Sequence, residues 1–123
     1  MTTNYNDENL SIKAWAEEDR PREKLLLKGR QNLSDAELIA ILIGSGSRNE
    51  TAVTLSQKIL HSFDNNLNEL GRSSINKLME FKGIGEAKAI TIVAAMELGR
   101  RRQLADFKDK PQIKSSADAY HIL

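Results

Sequence analysis

Leu78-Met79-Glu80-Phe81-Lys82-Gly83-Ile84-Gly85-Glu86-Ala87-Lys88-Ala89-Ile90-Thr91-Ile92 is the stretch that decides the reading of this chain. It reads as a short amphipathic helix, a Gly-apolar-Gly turn and a second helix. Two glycines permit a tight turn and let the backbone come close to a partner. Ile84, between them, can point inward and lock the turn to a core. Ala89, four residues past Gly85, is small enough for two helices to pack closely, and Ile92 follows three residues later. Gly85 and Glu86 stand at the start of the second helix, where main-chain N–H groups lack helical acceptors and form an anion site.

The stretch resembles the helix-hairpin-helix motif. In that family the amides of the turn hold a DNA phosphate without reading sequence. The resemblance implies contacts from the backbone around Gly83, Ile84, Gly85 and Glu86, with Lys82 and Lys88 adding charge on either side. Two other readings stay open: a plain connection between packed helices, or a protein-docking element. Glu86 weighs against a phosphate, because a carboxylate repels one; its alternative role is to favour its own helix start.

Upstream lies a weaker echo. Ser34 and Glu37 form a capping-box pair before Leu38-Ile39-Ala40-Ile41-Leu42-Ile43, and Gly44 stops that helix. Gly44-Ser45-Gly46 then leads through a loop to a helix from about Thr51 to Ser62, with Val53, Leu55, Ile59 and Leu60 as its core candidates. The alanine here, Ala52, falls six residues past the second glycine rather than four. Gly44, Ser45 and Gly46 therefore read as a degenerate second hairpin or as an ordinary helix connection. Farther upstream, Pro21 can open a helix that Gly29 closes. Downstream, Asn65-Asn66 restarts a short helix with Leu67 and Leu70, closed by Gly71. Ser73 or Ser74 caps another short helix with Ile75, Leu78, Met79 and Phe81. Proline occurs only at 21 and 111, and period-2 alternation is scarce, so the fold expected is all-α, with five or six helices.

The final helix is expected from about Glu86 to Gln103. Its apolar residues, from Ala89 to Leu98, run around most of the circumference, which makes it the candidate central and most buried helix. Thr91, within that stretch, can bond back to a carbonyl. Arg100, Arg101 and Arg102 fall in its expected last turn. They read either as partners of the helix dipole or as a phosphate-tracking patch. Three adjacent arginines spread over about 200° of a helix, so they cannot all face one ligand. Trp15, with Ile12, reads as a packing anchor.

Composition narrows the classes. The 123 residues are 40% hydrophobic and 28% charged, which fits one globular domain. The net charge of +1 excludes a wholly basic binder but not a local patch. Bases concentrate late: nine against six acids from residue 75 onward, compared with seven against nine in the first fifty. Cysteine is absent, so disulfides, thiolate metal sites and a thiol nucleophile are excluded. The polar start and the lack of a long apolar run lead to an expectation of a cytoplasmic chain with no membrane partner. His61 and His121 stand 60 residues apart, with no P-loop, no G-x-S-x-G and no dinucleotide fingerprint, so neither a metal nor a cofactor is expected in this segment.

The expected organisation is a tail over 1–9, a helical domain over 10–104, a linker over 105–114 and the opening of a further domain over 115–123. Ser115-Ser116-Ala117-Asp118 signals a helix start that the chain scarcely continues, so it reads as part of a longer protein.

Asp19-Arg20-Pro21-Arg22-Glu23-Lys24-Leu25-Leu26, Leu33-Ser34-Asp35-Ala36-Glu37-Leu38, the Gly44–Gly46 loop, the Gly83–Gly85 turn and Glu97-Leu98-Gly99-Arg100-Arg101 together resemble the N-terminal region of RadC-like proteins, labelled DNA-repair proteins. The resemblance covers about residues 10–123. It implies a compact multi-helix domain, similar to SAM and RuvA domain 2 folds, ahead of a JAB1/MPN-like domain with an H-x-H…D zinc site. It therefore implies a metal-dependent hydrolase in the full-length protein and no catalytic residue here. His121 does not open an H-x-H, because Leu123 stands in the required place, so no metal ligand carries over. The function this implies is non-sequence-specific DNA binding that targets an attached hydrolase domain. The competing expectation is a protein-interaction or regulatory module without nucleic acid.

Overall fold

The computed structural model describes residues 17–109. Ile12, Trp15, the 1–9 tail, the linker beyond 109 and the expected start of a further domain lie outside that range. Among the described residues every regular element is helical, apart from an isolated bridge between Ser47 and Glu50 that closes a turn. The all-α expectation is met. Two compact units divide at Val93–Ala94.

In the first unit, helix α1 covers 17–28 and ends at Gly29, which has φ 88° and whose N–H donates to the Leu25 carbonyl at 3.0 Å. Pro21 does not open this helix as its position suggested. The chain is already helical four residues earlier, and Pro21 is buried. The cause is tertiary: Glu18, one turn before the proline, is fastened to a distant loop, as described below.

A 3-10 turn over Arg30–Asn32 leads to α2 (Asp35–Ile43). The capping box forms as read: Glu37 N–H donates to Ser34 Oγ at 3.1 Å, and Ser34 N–H donates to Glu37 Oε1 at 2.9 Å. That carboxylate is held below its usual pKa, first by the Ser34 amide and then by the Lys24 ammonium. Gly44 ends α2 with φ 77°, a conformation strained for residues that carry a Cβ.

Helix α3 (Ala52–Ser62) packs against α2 and is the most buried element of this unit. Ala52, Leu55, Ser56, Ile59 and Leu60 all lie inside, while the expected core residue Val53 is only half-buried. Each large apolar side chain withdrawn this way contributes about 1.5–3 kcal/mol. The short helices α4 (Leu67–Gly71) and α5 (Ile75–Leu78) start on Asn66 and Ser74 caps. Neither is long enough to persist alone. Leu70 and Leu78, both fully buried, tie them to the core.

Helix α6 (Glu86–Asp109) runs six residues beyond the expected end at Gln103, taking in the first part of the expected linker. Its expected role as the most buried helix is not met. Ala89 and Ile92 are fully buried, but Ile90 is 45% exposed. In the second unit, from Ala94, Leu98 and Phe107 are 68% and 74% exposed. An apolar composition around a helix creates burial only where neighbours exist to cover it.

Candidate functional site

Ile84 N–H donates to the Phe81 carbonyl at 3.0 Å, closing a four-residue turn. Its third position, Gly83, takes φ 97°, as a type II turn requires. A Cβ on Gly83 would stand 2.8 Å from Ser47 Cβ and 3.1 Å from Leu55 Cδ2. The close approach that glycine permits at 83 is thus used inside the protein, against the upstream loop. Ile84 points inward and is buried, as read, and so is Ala89.

Gly85 differs. Its φ lies outside the left-handed region, and a Cβ there would meet nothing within 4 Å. Folding alone does not require a glycine at this position. Among the described residues, the N–H groups of Gly85, Glu86, Ala87 and Lys88 have no acceptor. The first satisfied amide of α6 is Ala89, donating to the Gly85 carbonyl at 3.0 Å. Helices α2 to α5 each begin with a side-chain oxygen on their first amides, whereas α6 begins on a glycine that has none to offer. Glu86 and Lys82 are both exposed, and Lys82 ion-pairs with no carboxylate among the described residues.

Lys88 is placed where its number alone did not suggest. Its ammonium donates to the Ser45 carbonyl at 2.7 Å, Ser45 Oγ at 3.0 Å and the Gly83 carbonyl at 3.1 Å, with the Gly46 carbonyl at 3.4 Å. Ser45 and Gly46 are therefore brought against the downstream turn, whereas the atom nearest a Cβ on Gly44 belongs to Arg22.

That upstream loop has its own anion. The Glu18 carboxylate accepts from Gly46 N–H at 3.0 Å and from Ala52 N–H at 2.9 Å, at the start of α3. Thr51 Oγ1 accepts from Thr54 N–H at 3.2 Å, completing the cap. Gly46 leaves no room for a Cβ, which would collide with the Glu50 and Thr51 main chain. Glu18 was not singled out in the sequence. Only its place on the face of α1 one turn before a buried proline distinguishes it from Glu17 and Asp19.

The arginine run lies in the second unit. Because α6 continues to Asp109, Arg100, Arg101 and Arg102 are not in its last turn, and the expected pairing with the helix C-terminus does not apply. Arg100 holds Glu97 through Nε at 3.0 Å and a terminal nitrogen at 2.9 Å, and Arg101 Nε reaches the same carboxylate at 2.9 Å. These bonds, Arg100's first, lower the Glu97 pKa to about 2. Arg102 is exposed. Thr91 Oγ1 donates back to the Ala87 carbonyl at 3.0 Å, as read. Among the described residues no group of three or more His, Asp or Glu side chains is placed to hold a metal ion, and no helix is long and apolar enough to cross a membrane.

A family model described as UPF0758 N-terminal matches residues 12–90, from before α1 into the first turn of α6. The chain belongs to the UPF0758 N-terminal family. The Flavobacterium johnsoniae UPF0758 protein is 60% identical over 115 residues, covering 94% of this chain and 50% of its own. The Porphyromonas gingivalis UPF0758 protein is 45% identical over 115 residues, covering 93% of this chain and 51% of its own. The Caldanaerobacter subterraneus UPF0758 protein is 44% identical over 117 residues, covering 95% and 50%. The chain thus spans about half the length of the curated UPF0758 relatives it matches. No solved structure shows significant similarity to it.

Proposed function

We propose that this UPF0758 N-terminal region is a non-sequence-specific DNA-binding module in which α5, the Gly83–Gly85 turn and α6 act as a helix-hairpin-helix. The observation that carries the reading is the contrast between helix starts. The α3 start is closed by the Glu18 carboxylate, while four consecutive amides at the α6 start have no acceptor among the described residues, beside a glycine with open space in front of it. A phosphate oxygen satisfies such donors in the way Glu18 satisfies those of Gly46 and Ala52. Lys82 supplies a cation beside them. In the second unit, Arg100, Arg101 and Arg102 would make backbone contacts of their own, with Arg102 the least committed to Glu97.

The RadC-like resemblance extends the reading to the full-length protein. There the module would bring DNA to a JAB1/MPN-like, zinc-dependent hydrolase domain of the same chain, in the half that the relatives have beyond this segment. This segment supplies no zinc ligand and no catalytic residue to that chemistry. Leu26 and Leu27, 85% and 80% exposed at the end of α1, favour a second reading in which the module docks a protein surface.

Fluorescence anisotropy with a labelled duplex at low salt tests the proposal. Weak binding, unselective for sequence and falling steeply as salt rises, is expected. Absence of binding at high micromolar protein contradicts it.

A further inference from the structure

We infer that Lys88 is a positioning residue rather than a phosphate ligand: its ammonium acts as an internal cation that pins the Gly83 turn to the Ser45–Gly46 loop and so fixes the free amides at the start of α6. The inference rests on the proposed DNA reading only for its binding consequence.

An ammonium has three protons, and here three oxygens lie within 3.1 Å of it: the Ser45 carbonyl, Ser45 Oγ and the Gly83 carbonyl. The Gly46 carbonyl flanks them at 3.4 Å. The cradle is made mostly of main-chain oxygens from two loops about forty residues apart in sequence. Three carbonyl dipoles converge on one point, and a positive charge there offsets their mutual repulsion. The Gly83–Ile84 peptide is then held at both ends, its N–H on the Phe81 carbonyl and its C=O on Lys88. The next amide along the chain is that of Gly85, the first of the four free donors. Fixing the preceding peptide plane limits the directions in which that donor can point. Gly83 permits the arrangement, since any Cβ there would push Ser47 away and open the cradle.

A charge engaged in this way has no proton left for a phosphate. Lys82 and Lys88, similar in the sequence, therefore separate into a cation directed at solvent and a cation directed at the fold.

The test combines Lys88→Ala with added propylammonium, which restores the missing stem and charge, against tetramethylammonium at equal ionic strength. Amide NMR spectra report on the loops, and anisotropy reports on duplex binding. Lys88→Ala is expected to move the Gly46 and Gly83 amide resonances together and to weaken binding about tenfold, the scale of one charge-assisted hydrogen bond. Propylammonium returns both readouts toward the parent values, and tetramethylammonium does not. Lys82→Ala weakens binding without moving Gly46 and without rescue. Lys88→Met, which keeps the aliphatic stem, guards against simple unfolding, and unchanged Ile59 and Leu60 amides mark an intact core. A Gly46 resonance that stays in place in Lys88→Ala overturns the pinning, as does equal behaviour in the two ammonium salts. If the parent chain binds no duplex, the DNA reading falls, while the resonance and rescue measurements still decide the role of Lys88.

Discussion

The two glycine loops of the first unit start from similar material and end with opposite accounts of their donors. In the Gly44–Gly46 loop and the helix start that follows, the amides of Gly46 and Ala52 are closed by a carboxylate from α1. In the Gly83–Gly85 turn, no side chain among the described residues reaches the first amides of α6. One loop carries its own anion; the other leaves the place open. A glycine turn ahead of a helix is therefore not by itself a binding site. What separates the two is whether some other element brings a carboxylate to it. Within the downstream turn the same contrast appears between its two glycines, Gly83 spent on internal packing and Gly85 facing open space.

The largest effects are expected where a side chain is added to Gly46, Gly83 or Gly85. Gly46→Ala and Gly83→Ala force main-chain or Ser47 atoms aside, and Gly83 is also left in a positive-φ conformation. Each is expected to destabilise the fold by about 2 kcal/mol or more by chemical denaturation. Gly85→Asp acts in the opposite direction. Its side chain meets open space and supplies the N-cap that α6 lacks, so stability rises by about 0.5 kcal/mol, while duplex binding is lost because the donors are taken and a negative charge is added. A variant more stable yet inactive in binding is hard to explain if the turn is only a connection.

Removing the internal anion comes next in size. Glu18→Gln keeps the shape but weakens two charge-assisted hydrogen bonds, and a loss of about 1 kcal/mol is expected. Ser56→Ala should be neutral or slightly stabilising, because the Ser56 hydroxyl is fully buried without a partner. A clear loss of stability there would reveal a bond that the geometry does not contain.

The smallest expected effect concerns pH and the second unit. Glu97 has a lowered pKa, so its pairing with Arg100 and Arg101 is present above the ordinary value of 4.5 and is lost as pH falls toward about 2. A carboxylate NMR titration of Glu97 should show a midpoint near 2, with helicity over 94–109 declining in that window. A midpoint at the ordinary value contradicts the pairing.

What could be read from the sequence follows the range of the interactions. The Ser34–Glu37 box, the Asn66 and Ser74 caps and the Gly44 stop act across two or three residues, and α2, α3 and α4 appear where expected; α5 starts at its cap but ends at Leu78, leaving Met79 and Phe81 in the turn that follows. Ile84 and Ala89 were legible too, because periodicity places them on an inner face. Glu18 and Lys88 were not. Apart from the Gly83 carbonyl, five residues from Lys88, their partners lie 28, 34, 42 and 43 residues away in sequence, and nothing local marks one acid of Glu17-Glu18-Asp19 or one lysine of two. The over-long estimate of burial in α6 has the same origin. Composition records that Leu98 is apolar, but not that it is 68% exposed.

The most direct measurement is an amide-resolved NMR titration of the chain with a short duplex at low salt. The account predicts that the resonances of Gly85, Glu86 and Ala87 move on binding and return as salt is added, while Gly46 and Ala52, already closed by Glu18, stay nearly in place. Perturbations centred on Gly46 and Ala52, or none at the start of α6, would contradict it.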